Sequence, residues 1–393
     1  MNGNNQEIYF KDIKRWPRRD QVLLLKAALY HGACAFDAWE EWRAQVELDD
    51  LDPASRQLLP LLYHNLNSQG KRDSTLSRMK GVYRSVWYKN QLLFQNMAIL
   101  LENFHNAGIQ TMLLKGSAMI LKYYQNYGIR TMSDFDVLIH PAQAIIAREL
   151  LKKMGWNPIY EHKTENLNSY YALQPSLNFI NETDLNIDLH WHIFPMCLSE
   201  NADEELWKSS LPITFNLLST SVLNPSDQLL HVCVHGQMES PRLFRWIPDA
   251  ITILNKTGAD FDWDRLYQQA YKLRLILFLR EALRYLIQSF ETPIPSYVII
   301  KLDQARVSGM ERLEYWFTTQ PVGLLGDFPK IWFRYLRFYH LYESGPIKLR
   351  TGGFIKFLQT YWGLQKTSSL PGFIFDKGIN RLRHQVTKSS SSL

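Results

Sequence analysis

The chain has 393 residues, 46% of them hydrophobic, and a formal charge of +6 at pH 7, which is enough apolar content for a sizeable core spread over two or three domains. Its three cysteines, Cys34, Cys197 and Cys233, are odd in number and widely spaced, which excludes a disulfide scaffold and suits a reducing cytoplasm. The start Met1-Asn2-Gly3-Asn4-Asn5 is polar and reads as no apolar signal segment, and no window reaches membrane-spanning length without charge.

Residues 1–105 read as a helical region. Apolar-periodic stretches around Leu23-Leu24-Leu25 and Leu92-Leu93-Phe94 flank the turn signal Asp49-Asp50-Leu51-Asp52-Pro53, and Pro60 suits the first turn of a helix between them. Residues 106–222 alternate strand and helix. The apolar run Thr111-Met112-Leu113-Leu114 leads into Lys115-Gly116-Ser117, a strand turning into a helix. Gly116 permits a sharp turn and close approach to a ligand, and Ser117 suits an N-cap. The helix is expected from Ala118 to Gln125, ending by Gly128. A helix N-terminus with free N–H groups is a place for phosphate, although an isolated Gly-Ser is most often only a capped turn.

From Ser133 to His140 the residues alternate, with Phe135, Val137 and Ile139 on one face and Asp134, Asp136 and Leu138 on the other. Two carboxylates on one face repel each other, an arrangement that makes sense around a divalent cation, and magnesium takes oxygen ligands of this kind. The stretch Leu185-Asn186-Ile187-Asp188-Leu189-His190-Trp191 repeats the pattern. Asp188 becomes a third strand carboxylate with its back to a core, and Asp184 lies nearer the strand's start. Arg130, just before the acidic pair, could reach a phosphate or orient Asp134, and Lys115 could neutralise charge as a point cation; surface solubility is the plain alternative for both.

Residues 223–328 turn helical again, starting at Pro225-Ser226-Asp227, with a strongly apolar helix from Leu273 to Phe290 that stops before Pro293. Residues 329–393 carry eleven Lys or Arg against Glu343 and Asp376, so the rest of the chain is slightly acidic. Interleaved with them are Trp332, Phe333, Tyr335, Phe338, Tyr339, Phe354, Phe357, Tyr361 and Trp362. Such a pattern can track nucleic acid or an anionic membrane surface, or bind an anionic substrate; more often it is an amphipathic helix packed on a core. Ser389 to Ser392 reads as a disordered tail. His190 and His192 share a strand face without a cysteine pair to complete a zinc set, so His190 is read as a site wall and His192 as structural. His231 and His235 fall at i, i+4 on a helix, where a core or substrate-contact role outweighs metal binding. No Walker phosphate loop, dinucleotide-binding glycine fingerprint or nucleophile elbow is present.

Together, Leu114-Lys115-Gly116-Ser117, Tyr123-Tyr124, the run from Gly128 to Ile139 and Asp188-Leu189-His190-Trp191 resemble the uncharacterised bacterial nucleotidyltransferase family of the DNA polymerase beta-like superfamily. Weaker likeness extends to the run from Pro60 to Leu66, to Leu229-Leu230-His231-Val232-Cys233-Val234-His235, to Arg245-Trp246 with Asp249, and to Asp262-Trp263, over roughly residues 20 to 300. The resemblance implies an α+β fold, with a small mixed sheet and helices as the nucleotidyltransferase core and helical regions on either side. It implies that Gly116 and Ser117 hold nucleotide phosphates, alongside Lys115 and Arg130, and that Asp134, Asp136 and Asp188 bind Mg2+ or Mn2+. His190, His235 and Asp249 become candidate substrate contacts, Asp249 either touching nucleotide or bracing Arg245. The implied reaction is attack by an acceptor hydroxyl of a small molecule, peptide or protein on the alpha-phosphate of a nucleoside triphosphate, releasing pyrophosphate, with Asp188 as base or metal ligand. Phosphoryl or glycosyl transfer at the same site, or a non-catalytic nucleotide- or RNA-binding module, are the alternatives; a nucleic-acid partner is not favoured. The gap between Ser117 and Asp134 is longer than in many superfamily members, which implies a longer helix or loop there.

Overall fold

In the computed structural model, residues 16–160, 167–238, 244–320, 327–339 and 351–376 are described. Seven short strands, β1 (Met112–Leu113), β2 (Asp134–Leu138), β3 (Asn157–Pro158), β4 (Ser176–Ile180), β5 (Asn186–His190), β6 (Leu211–Phe215) and β7 (Leu218–Val222), form one sheet in the order β3-β4-β5-β2-β1-β7-β6. It is mixed: β2 runs parallel to β5 and β1 parallel to β7, while the other neighbours are antiparallel. This agrees with the expected small mixed sheet flanked by helices.

Alternation along β2 and β5 separates the sheet's two surfaces. Phe135, Val137, Ile187 and Leu189 point to one side, where the helix Ser74–Asn106 covers them with Leu93, Phe94, Met97, Leu101 and Phe104. Asp73 starts that helix by accepting from the Leu76 amide, a cap that stabilises a helix end by about 1 kcal/mol. On the other side, Met112, Leu114 and Leu138 join a core built from both ends of the chain. The helices Arg19–Leu29, Ala33–Arg43 and Leu59–Ser68 contribute Leu24, Trp39 and Leu62, and the helices Pro225–Met238, Trp246–Thr257 and Ile276–Phe290 contribute Leu229, Ile247 and Leu283. The expected turn at residues 49–53 is a short 3-10 segment followed by the helix Pro53–Arg56, whose first amides bond to Asp52.

The aromatic C-terminal stretch makes a third cluster, in which Phe333, Tyr335, Phe354, Phe357 and Trp362 are buried together with Leu173. Rings buried against one another do not stack on bases, so this part of the pattern packs on its neighbours. Arg337 is likewise inward: Nε and Nη2 each donate to Glu314 at 2.7 Å, and Nη1 donates to the Leu273 carbonyl at 2.9 Å. The Ser389–Ser392 tail lies outside the described residues. Among the described residues, no helix is long and apolar enough to cross a membrane.

Candidate active site

Parallel pairing of β2 with β5 sets Asp136 directly across from Asp188 and Leu138 across from His190. Side chains two residues apart share a strand face, so Asp136, Asp188 and His190 converge. Each offers one ligand atom, all within 4.8 Å of one another. His190 Nε2 lies 2.8 Å from Asp188 Oδ2 and 3.1 Å from Asp136 Oδ1. Lys115 Nζ closes the group, 2.7 Å from Asp136 Oδ1 and 3.5 Å from Asp188 Oδ2. Asp188 Oδ1 is buried with no hydrogen-bond partner among the described residues. Asp134, one strand step outward, is half-buried and accepts from Ser133 Oγ at 3.2 Å.

The charges are strongly coupled. Burial disfavours an ionised Asp136, but Lys115 and His190 overcome it and hold the carboxyl below its usual range. Burial opposes ionisation of Asp188 too, and His190 and Lys115 again hold it well down. Burial also disfavours the imidazolium of His190, yet Asp188 and Asp136 raise it to about 9. Asp134 goes the other way: burial first, then the neighbouring Asp136 charge, push its carboxyl up.

The Lys115-Gly116-Ser117 corner departs from the sequence reading. The helix Lys115–Ala118 begins one residue after Leu114, which occupies the cap position. Ser117 therefore sits inside the first turn, fully buried, with its hydroxyl donating to the Leu114 carbonyl at 2.9 Å. The residue in the left-handed region is Lys115, at φ 44°, and not Gly116. Gly116 is required by contact: a Cβ there would lie 2.6 Å from Arg130 Nη1 and 2.7 Å from Met132 Cγ. The chain continues as a π-helix, Met119–Tyr124, and ends within a residue of the expected Gln125, with Gln125 itself in left-handed geometry as the cap and not Gly128. Gly128 instead lets the backbone approach the Tyr83 ring, which a Cβ would meet at 2.5 Å. π-Helical turns and left-handed non-glycine residues concentrate at functional sites.

Arg130 is tied to the C-terminal helices. Its Nε and Nη2 donate to the Asp249 carboxylate at 2.9–3.0 Å, and the Tyr124 hydroxyl donates to the same carboxylate at 2.9 Å. Asn90, on the long helix, fixes the backbone below by donating to the carbonyls of Tyr127 and Arg130. Asp249 thus braces Arg130, while Arg245 donates to the Thr131 carbonyl. These groups surround an open pocket of about 860 Å3, solvent at its mouth included. Its lining comes from the segment 115–136, with Lys115, Gly116, Arg130, Asp134 and Asp136, and from the C-terminal helical region, with His231, His235, Arg245, Trp246 and Asp249.

Residues 54–291, more than half of the chain, match the family described as "Uncharacterised nucleotidyltransferase". The chain belongs to this family. No curated protein matches it. Among solved structures, an antigenic nucleotidyltransferase-like protein from Paracoccidioides brasiliensis aligns at 14% identity and a TM-score of 0.34, covering 55% of this chain and 94% of that one.

Within this nucleotidyltransferase, Lys115, Gly116, Arg130, Asp134, Asp136, His235 and Asp249 line the pocket; Asp188, His190 and Ser117 stand behind it. Asp184 precedes β5 in a turn at φ 59°, apart from the strand carboxylates. His192 Nδ1 donates to the Asp203 carboxylate at 2.8 Å, a buried brace. The oxygen-rich group around Asp136 and Asp188, with one buried carboxylate oxygen unsatisfied, fits a hard divalent cation. One feature lay beyond sequence reasoning, the Arg130–Asp249 pair, 119 residues apart. His231 lines the pocket, in keeping with the substrate-contact alternative that its i, i+4 spacing to His235 offered.

Proposed function

We propose that this nucleotidyltransferase transfers a nucleoside monophosphate from a nucleoside triphosphate to a hydroxyl group and releases pyrophosphate. The observation that carries the reading is the register of β2 and β5, which brings Asp136 beside Asp188, with Asp136 lining a pocket that Lys115 and Arg130 also line. Lys115 and Arg130 face the phosphates there, and the Arg130 Nη1 group, which takes no part in the bonds to Asp249, is directed past Gly116. Asp134, Asp136 and Asp188 would hold Mg2+ or Mn2+, which neutralises phosphate charge and lowers the pKa of an acceptor hydroxyl. Asp188 is read as the group that takes the acceptor's proton, directly or through a bound ion, or orients the hydroxyl. His190 holds the two carboxylates in position, and the Asp249–Tyr124 brace keeps the Arg130 fork from folding back. An in-line transfer then needs positioning and charge neutralisation, which the surrounding side chains supply.

The test is incubation with Mg2+ and triphosphates labelled at the alpha or gamma phosphorus, together with hydroxyl-bearing small molecules, peptides and proteins. Nucleotidyl transfer gives alpha-label on an acceptor and free pyrophosphate, whereas gamma-label transfer identifies phosphoryl transfer and overturns the proposal. Asp136→Asn is expected to lower turnover by at least a hundredfold; unchanged turnover counts equally against it.

A further inference from the structure

The helix Pro225–Met238 is buried on almost every side, yet Gln228, His231 and His235 stack along one of its faces. Gln228 and His231 are almost completely buried, and neither the amide atoms of Gln228 nor either ring nitrogen of His231 has a hydrogen-bond partner among the described residues. Buried polar groups are normally satisfied, so an imidazole with both nitrogens unmet, on a pocket wall, points to a group that arrives with a ligand.

Val232, Gly236 and Trp246 give the lining near His231 apolar surface, while Arg245 and Asp249, from the same helical region as Trp246, and Lys115, Arg130, Asp134 and Asp136 supply the charged part. Burial, aided by the nearby Lys115 ammonium, lowers His231 to about 3 and keeps it neutral. A neutral imidazole offers one N–H donor and one acceptor, a match for a hydroxyl or amide edge and a poor match for phosphate. Asp188, the carboxylate assigned above to the acceptor, does not line this pocket. The pocket therefore offers cations for phosphate together with a neutral imidazole and apolar surface, the two chemistries that a nucleotide presents.

We propose that His231 is a specificity-determining residue that hydrogen-bonds the uncharged nucleoside end of the donor nucleotide, its sugar or base, while Lys115 and Arg130 face the phosphates. This rests on the nucleotide-site reading above. Calorimetry with Mg2+ compares two ligands: the best-bound of ATP, GTP, CTP and UTP, and inorganic triphosphate. In His231→Phe the nucleotide is expected to bind about tenfold more weakly, triphosphate affinity to stay as in the wild type, and the melting temperature not to fall, because an apolar ring of similar shape leaves no unmet hydrogen bond. His231→Gln, which restores a donor and an acceptor, is expected to recover part of the affinity, and it is read in place of the Phe variant if that one loses its fold. Unchanged nucleotide affinity, or equal weakening of nucleotide and triphosphate, overturns the role of His231. A wild-type protein that binds neither ligand overturns the nucleotide site itself, which is a separate result.

Discussion

Arg130 shows how much one residue depends on partners distant in sequence. Burial works against its guanidinium, and the Asp249 charge more than compensates. Removing one member of such a pair leaves an unpaired buried charge, which costs about 3–5 kcal/mol, whereas replacing both with apolar groups is often neutral. Asp249→Leu is accordingly expected to lower the unfolding free energy by about 3–5 kcal/mol in urea titrations, and Arg130→Met with Asp249→Leu to recover most of it. Turnover should stay low in both, because the phosphate-facing fork is gone from one and misplaced in the other. Equal stability of the single and double variants would show that the pair is not coupled.

Among the elements, the segment from Lys115 to Gln125 is where local propensity and observed geometry diverge most. Apolar spacing and a nearby Gly-Ser predict an ordinary α-helix capped at Ser117 and stopped at Gly128; the segment is instead a short α-turn running into a π-helix. The reason is tertiary. Tyr83 from the long helix packs against Gly128 and bonds Asn126, and Asn90 donates to the carbonyls of Tyr127 and Arg130, so the chain turns out of the helix at Gln125 to meet them. Gln125 is exposed at φ 51°, a conformation glycine adopts more readily. Gln125→Gly is therefore expected to stabilise the protein by about 0.5–1 kcal/mol. Gly128→Ala should destabilise it, since its methyl would press on the Tyr83 ring. Thermal denaturation of the two variants gives shifts of opposite sign if this account of the corner is right.

For the whole molecule, the consequence is a pH dependence built into the core shared by both helical ends. Unfolded, His231 takes up a proton near 6.5; folded, burial and then the charges of Lys115 and His190 delay it to about 3, with Asp136 pulling weakly the other way. The unfolded chain thus binds more protons between these values, so this group's contribution to stability is full above 6.5 and is lost as pH falls toward 3. One such site contributes a slope of up to about 1.4 kcal/mol per pH unit. His231→Phe should flatten the decline of unfolding free energy between pH 6 and 4 by about that amount, and parallel curves for the two proteins would remove His231 as its source.

Alternation of apolar and acidic residues in two strands determined, from sequence alone, that Asp134, Asp136 and Asp188 share faces backed by a core, because strand periodicity is a local property. The helical starts at Pro225 and the apolar helix ending near Phe290 were legible for the same reason. Only the tertiary structure decided that β2 lies beside β5 with Asp136 opposite Asp188, that Asp249 reaches Arg130, and that a buried helix turns His231 toward the pocket. These are pairings across 52 to 119 residues, and spacing along the chain carries no information about which distant surfaces meet. The aromatic stretch after residue 329 illustrates the limit: its composition favoured a packed amphipathic helix without excluding a binding surface, and burial of Phe333, Phe357 and Trp362 against their neighbours made this part a core.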